Sequence, residues 1–340
     1  MDGATANPSP RTAQPEGENL ARRLATSLLR MRELSVAVVC VGIAIYFASS
    51  NAAFYSGQNL SNISDLAASV IIVAAGQVML LVCGEIDLSV GMTFAFIPLV
   101  MMALNDLGMP LEIAFLAAMG LAVLIGFVNG YLTITLKLPS FLTTLGMMFL
   151  LEGLTLKLSN SYPRNAPSDG LLVNVLGGWS WSAAIWAVSI VLVMQIVLTS
   201  TKWGAYTVAT GCNAHAASEA GINIRGIKVR AFVLTAVLGG LAGIIEGIHI
   251  TQSYSPLAGG TDLMFKTVTA AVIGGTALLG GSGTVVGALF GALVLAMLQN
   301  GFTLQGISAT TFILIQGVAI LIAMSINTYL TRFRRESKVA

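Results

Sequence analysis

Ten stretches of apolar sequence, each about 17 to 26 residues long, constrain this chain more than any other feature. They run from Leu34 to Ser50, Asn62 to Cys83, Leu88 to Leu104, Leu111 to Leu136, Ser140 to Ser159, Trp181 to Thr199, Ala231 to His249, Leu263 to Leu279, Thr284 to Asn300 and Thr310 to Leu330. A helix needs about 20 mostly apolar residues to cross roughly 30 Å of hydrocarbon, so each stretch reads as a candidate membrane span. A single water-soluble core is excluded, because only 9% of the residues are charged where a soluble domain carries about a quarter. The 36 glycines fit the same reading, since glycine is more frequent in membrane helices than in soluble ones. The predicted fold is all-α: a polytopic integral membrane protein with about ten transmembrane helices, some short or broken, in two weakly related halves.

The ends differ from the middle. Residues 1–33 begin with a polar, proline-bearing stretch without an apolar core, which reads as a disordered cytoplasmic tail and not as a cleaved signal peptide. Residues 34–330 form the expected transmembrane domain, with its largest loop at 200–230, and 331–340 a basic tail.

Lys and Arg in short loops stay on the cytoplasmic side, which orients the spans. With ten spans both termini are cytoplasmic, and fourteen of the 17 cations then lie inside, leaving Lys157, Arg164 and Lys266 on or near the outer side. The inner groups are Arg11, Arg22, Arg23, Arg30 and Arg32, then Lys137, then Lys202, Arg225, Lys228 and Arg230, and finally Arg332, Arg334, Arg335 and Lys338. Trp179, Trp181 and Trp186 stand where the sixth span enters from the outer face, as an aromatic belt does. The expected location is the bacterial inner membrane, with lipid as the solvent.

Two spans are suspect as full crossings. The segment at 88–104 follows its predecessor after only Gly84-Glu85-Ile86-Asp87, and the segment at 263–279 meets the next through Gly280-Gly281-Ser282-Gly283. Irregular backbone at membrane depth is tolerated only where protein or a water-filled cavity satisfies it. Breaks in corresponding positions of two halves point to a transport path. Residues 84–106 and 280–301 echo one another, each with a glycine-bearing turn, a run of small residues and a closing polar pair.

Catalytic and metal chemistry find no support. Cys40, Cys83 and Cys212 are far apart, with no C-x-x-C or His/Cys cluster, and read as small hydrophobes. No basic stripe interleaved with aromatics suggests nucleic acid. No glycine run is followed by Lys-Ser or Lys-Thr, so the chain carries no P-loop.

Three motifs remain. In the turn Gly84-Glu85-Ile86-Asp87-Leu88-Ser89-Val90-Gly91, Asp87 and Ser89 are suitable N-caps for the following helix. A catalytic carboxylate pair is the rival reading, weakened because no His, Lys or metal ligand stands near Glu85 and Asp87 in sequence. This octapeptide resembles the G-(G/E)-I-D-L-S-V-G signature of the ribose-type sugar permeases of the ABC importer superfamily.

The second motif runs through Gly274, Gly275 and Thr276, then Gly280, Gly281, Gly283, Gly287 and Gly291, to Gln299-Asn300-Gly301. It resembles that family's glycine-rich pattern. Gly283, Gly287 and Gly291 recur every four residues, so one helix face is bare and a neighbouring backbone can approach, either as packing or as a moving gate.

The third motif lies in the 200–230 loop: Gly211, Asn213, Ala216, Ala217, Glu219, Gly221, Ile222 and Asn223. Asn213 suits the cap of a short helix over Ala214 to Ala220, and Gly221 suits a left-handed end. Such a helix is too small and alanine-rich to bury anything by itself; it is a solvated loop helix or half of an interface. The segment is similar to the coupling segment of the sugar branch of ABC importer permeases, which docks on the ATPase subunit.

Polar residues inside the spans complete the inventory. Glu152 and Glu246 are costly in hydrocarbon and invite a role in a path. Gln77, Asn129, Gln299, Asn300 and Gln316 join them as candidates, with interhelical hydrogen bonding as the alternative role, one shared by Gln195. His249 and His215 read as an interfacial and a surface histidine.

The resemblance covers residues from about 60 to 330 and implies the permease subunit of an ABC importer. A separate ATPase subunit would hold ATP and Mg²⁺, so no cofactor belongs to this chain. A second permease subunit, identical or related, would complete the path. An extracytoplasmic sugar-binding protein would deliver a pentose- or hexose-like monosaccharide to the loops at 160–180 and 251–262. The alternatives are a branched-chain amino acid or nucleoside ABC permease, a proton- or Na⁺-coupled secondary transporter using Glu152, Glu246 or Asp87, and a membrane scaffold or receptor.

Overall fold

The structure is a computed structural model that describes residues 32–308, 310–311, 313–318 and 321. The basic tails carrying Arg11, Arg22, Arg23 and Arg30 and Arg332, Arg334, Arg335 and Lys338, and most of the tenth expected span, lie outside the described residues.

The described chain is a helical bundle. Its elements are α1 (Arg32–Ser50), a 3₁₀ turn (Ala52–Tyr55), α2 (Gly57–Val82), α3 (Val90–Asp106), α4 (Leu111–Thr135), α5 (Ser140–Ser159), β1 (Arg164–Asn165), α6 (Leu171–Leu176), α7 (Ser182–Ser200), α8 (Lys202–Cys212), α9 (Ala214–Glu219), α10 (Ile224–Glu246), a π turn (Gly247–Thr251), β2 (Ser253–Tyr254), α11 (Gly260–Ile273) and α12 (Val285–Leu304). Seven of the described helices are long and apolar enough to cross a membrane. The two suspected segments are the shorter ones. At about 1.5 Å per residue, α3 with 17 residues and α11 with 14 stop short of a full hydrocarbon crossing.

Sequence governs the layering. Helix α2 is buried along nearly all its length, whereas α1, α4, α5 and α7 keep most of their surface exposed and rich in Leu, Ile, Val and Phe. Apolar side chains on an outer face are stable in lipid, which is as apolar as they are. Around α2 pack α7, α10, α11 and α12, and α10 lies also against α3 and α4.

Helix ends follow local chemistry. Ser56 accepts from the Asn59 N–H at 3.3 Å to start α2, and Thr284 accepts from the Gly287 N–H at 3.3 Å to start α12. A more distant cap supplements the second: Gln195 Oε1 on α7 accepts from the Val285 and Val286 N–H groups at 2.9 and 3.2 Å. Orphan donors at a helix start need such partners when water is excluded.

Four expectations of extent are corrected. The span expected over 263–279 ends at Ile273, because Gly275 turns into the left-handed region at φ +91° and breaks the helix within an apolar run. The span expected from Ala231 starts at Ile224, since Arg225, Lys228 and Arg230 interrupt hydropathy but not helix. Part of the 200–230 loop is helix α8, capped by Thr201. Arg32 and Glu33, expected as part of the tail, are helical and belong to α1.

The two ends of the bundle are distinct. At one end β1 and β2 pair antiparallel, Arg164 opposite Tyr254, which ties the loop at 160–180 to the loop at 251–262. At the other end meet the turn at 83–89, the α4–α5 turn bearing Lys137, the α8–α9 segment bearing Lys202, and the start of α10 bearing Lys228.

Candidate translocation and coupling site

A cavity of about 670 Å³ opens near the β1–β2 end of the bundle. Its polar lining comes from four helices: Asn62, Asp65 and Ser69 on α2, Glu246 at the end of α10, Asp262 and Lys266 on α11, and Gln299, Asn300 and Thr303 on α12. Asp262 and Lys266, four apart, share a helix face, and the ammonium lies 2.7 Å from the carboxylate. The same ammonium reaches Gln299 Oε1 at 3.3 Å. Asn300 and the buried Asn59 exchange two amide hydrogen bonds, each 2.9 Å, which fixes α12 against α2.

The cavity mouth is built on irregular backbone. Helix α10 passes into a π turn immediately after Glu246, and such turns recur at functional positions. His249, within that turn, stands 3.6 Å from Asp65 and directs Nδ1 at the Gly177 carbonyl, 3.0 Å away. The loop bearing Gly177 is thereby held to α2.

A second polar cluster is fully enclosed. The Asp87 carboxylate accepts from the Ser89 N–H at 2.8 Å and the Ser89 hydroxyl at 2.6 Å. Asn129 on α4 donates to the Ser89 hydroxyl at 2.8 Å. Gln77 on α2 donates to the Asp87 carbonyl at 2.6 Å, while Thr144 on α5 accepts from the Leu88 N–H at 3.0 Å. Four helices are thus tied to one turn. Ser89 holds the cap position of α3 without a side-chain cap bond, because its hydroxyl is committed to the Asp87 carboxylate, which also accepts the Ser89 N–H just ahead of the helix. Glu85 also differs from the sequence reading: Lys228 on α10, 143 positions away, forms an ion pair with it.

The third cluster lies beyond that turn. Asn213 Oδ1 accepts from the Ala216 N–H at 3.0 Å to start α9, and Gly221 ends the segment at φ +79°. Asn223 then caps α10 by accepting from the Gly226 N–H at 3.0 Å. Glu219 and His215 remain exposed, whereas Ala217 is buried. Helix α8 ends against the bundle, where the Gly281 N–H donates to the Val82 carbonyl at 2.9 Å and the Cys212 thiol lies 3.4 Å from the Gly281 carbonyl.

Glycine contacts join these regions. A Cβ on Gly287 would lie 2.0 Å from the Gly274 carbonyl oxygen, and one on Gly291 would lie 2.2 Å from that of Ala270, so α11 and α12 touch along bare backbone. Gly283 faces Val82 and Thr276, and Gly280 faces Gly84. Gly91 lies against the Gly260 carbonyl, joining the starts of α3 and α11. Sequence reading missed an equivalent set: Gly126 on α4 against Phe232 and Val233, and Gly243 on α10 against the Phe94 carbonyl. The four-residue spacing of Gly126 and Gly130 was the available signal.

The candidate path residues therefore separate. Glu246, Gln299 and Asn300 line the cavity, and Gln77 and Asn129 bind the Asp87 turn. Glu152 and Gln316 are half-buried and belong to neither group. Asp65, Asp262 and Lys266 line the cavity although sequence reading did not select them.

An apolar helical bundle with a polar cavity near one end and a capped helix pair at the other defines an integral membrane permease. The chain belongs to the family described as branched-chain amino acid transport system / permease component, whose model matches residues 59–324. It is 35% identical to the xylose/arabinose import permease of Sulfolobus acidocaldarius, over 90% of this chain and 87% of that protein. The ribose import permease of Escherichia coli K12 is 34% identical over 90% of this chain and 96% of its own length. The autoinducer 2 import system permease of Salmonella typhi is 30% identical over 85% and 84%. No solved structure matches the chain significantly. The resemblance to ribose-type ABC permeases is borne out, and the chain is a transport component and not a catalytic one.

Proposed function

We propose that this chain is the membrane-spanning subunit of an ABC importer for a monosaccharide, working with a separate ATPase, a sugar-binding protein and a second permease subunit. The observation that carries the reading is the cavity formed by α2, α10, α11 and α12, whose amides, carboxylates, hydroxyls and lysine offer both donors and acceptors to a polyhydroxylated ligand. Its position beside the paired 160–180 and 251–262 loops suits delivery from a binding protein on the outer face.

Helix α9 is the assigned docking element for the ATPase. Asn213 and Gly221 fix its ends, and Ala216 presents little bulk. Force on this segment is delivered to Val82 and Gly281, and so to α2 and the turn before α12. The Asp87 turn is the assigned relay at the inner end of α3, and the Gly274, Gly287 and Gly291 contacts are the surfaces over which α11 and α12 move or lock. Both termini, with α9, face the cytoplasm, as the cation bias requires.

The branched-chain amino acid reading draws on the description of the family model. The sugar reading is favoured by relatives spanning about nine-tenths of the chain whose names specify xylose/arabinose and ribose. ATP hydrolysis by the reconstituted importer, assayed with its binding protein loaded with a pentose or with leucine, separates the two. Stimulation by the pentose-loaded protein alone is expected; stimulation by the leucine-loaded protein alone overturns the sugar assignment.

A further inference from the structure

Charge in the outer cavity is unbalanced. Asp65, Glu246 and Asp262 contribute three carboxylates and Lys266 one ammonium. That ammonium is already in contact with Asp262 at 2.7 Å, so the Asp262–Lys266 pair approaches neutrality and Asp65 and Glu246 set the sign of the remaining field. His249 faces Asp65 at 3.6 Å. With His249 neutral two carboxylates remain in excess, and with it protonated one does. The other polar lining groups, among them Ser69 and Gln299, are uncharged donors and acceptors suited to hydroxyls.

The walls between these groups are apolar, with Val70, Phe94, Ile250 and Leu263 facing the same space. Low-dielectric walls focus the field of a one-signed cleft and alter the local concentration of ions by about 10- to 1000-fold. We propose that Asp65 and Glu246 make this cavity a charge filter, which passes neutral polyhydroxylated ligands and rejects anionic ones such as sugar acids and sugar phosphates. The inference rests on the reading of this cavity as the sugar path, and adds that the permease itself discriminates by charge. Asp65 and Glu246 act as specificity residues: they need not grip the neutral ligand tightly to exclude its anionic analogue, because like-charge repulsion in a confined space is costly.

The test uses the assembled importer in detergent or nanodiscs, with Ile250→Cys in a Cys212→Ser background; Cys40 and Cys83 are buried. Thr303→Cys, across the cavity on α12, supplies a second reporter if the first fails to assemble. Modification rates by cationic and anionic methanethiosulfonates of similar size are measured, each normalised to a free thiol in solution. The cationic reagent is expected to react at least about tenfold faster, and Asp65→Asn with Glu246→Gln is expected to bring the ratio near one. Equal normalised rates in the parent, a ratio unmoved by the double substitution, or thiols closed to both reagents each overturn the proposal. Protection by a pentose-loaded binding protein is scored alongside. Protection without a charge preference overturns the filter alone, whereas a charge preference without protection overturns the sugar-path reading and the filter with it.

Discussion

Gly211, at the end of α8, lies so close to Val82 that a Cβ at position 211 would stand 1.8 Å from the Val82 carbonyl oxygen. The same carbonyl accepts the Gly281 N–H at 2.9 Å. One oxygen atom therefore joins the end of α8, the end of α2 and the turn preceding α12. Under the docking role proposed for α9, a displacement carried through α8 passes here to α2 and to the turn before α12, and α2 and α12 are two of the four helices that line the cavity.

Gly211→Ala must displace backbone, not a side chain, and is expected to cost about 1–3 kcal/mol. The thermal midpoint of the purified permease should fall clearly, and ATP-driven uptake should fall with it. An unchanged midpoint with normal uptake would show that the α8 contact is dispensable.

Gly221 is a different case, because its surroundings are open and only its φ of +79° demands glycine. Gly221→Val is expected to strain the end of α9 by about 1–2 kcal/mol, leave the transmembrane bundle assembled and uncouple ATP hydrolysis from uptake. The check is the ratio of sugar transported to ATP hydrolysed in proteoliposomes. A wild-type ratio would remove α9 from the coupling role.

Asp87→Ala would strand the Ser89 hydroxyl proton and the Ser89 N–H in a dry interior, at about 1–3 kcal/mol per buried unsatisfied group. Little folded protein should be recovered from detergent extracts. Asp87→Asn retains an acceptor and should be recovered in larger amount. Equal recovery of the two variants would mean that the hydrogen bonds at this turn contribute nothing to folding.

The reciprocal Asn59–Asn300 pair invites a double-mutant cycle with alanine. Interhelical hydrogen bonds in membranes couple by about 0.6 kcal/mol on average and rarely more than about 1.7. Two bonds in one pair should place the coupling in the upper part of that range, read from unfolding in mixed detergent. A coupling near zero would identify the contact as incidental.

Much of the fold was legible because hydropathy and segment length are the physics that lipid imposes. The expected cap at Asn213 and the left-handed end at Gly221 are local chemistry, and both stand in the structure. What hydropathy does not sense is backbone angle, which is why the apolar Ala277, Leu278 and Leu279 extended the expected span beyond the break at Gly275. It also treats charge as an end of helix, although α10 continues through Arg225, Lys228 and Arg230. The cavity was half legible. Glu246, Gln299 and Asn300 stood out as polar residues inside spans, while Asp65, Asp262 and Lys266 lie at or just before the starts of the expected spans, where polarity is ordinary. The Lys228–Glu85 pair is a tertiary contact for which no sequence spacing gives a sign.

Uptake of a labelled pentose into proteoliposomes containing this chain, its ATPase and its sugar-binding protein reads the import function itself. Accumulation is expected to require all three components and ATP, and Glu246→Ala together with Gln299→Ala is expected to lower it at least tenfold, about 1.4 kcal/mol. Accumulation driven by an ion gradient through this chain alone, without ATPase or ATP, would contradict the ABC importer reading.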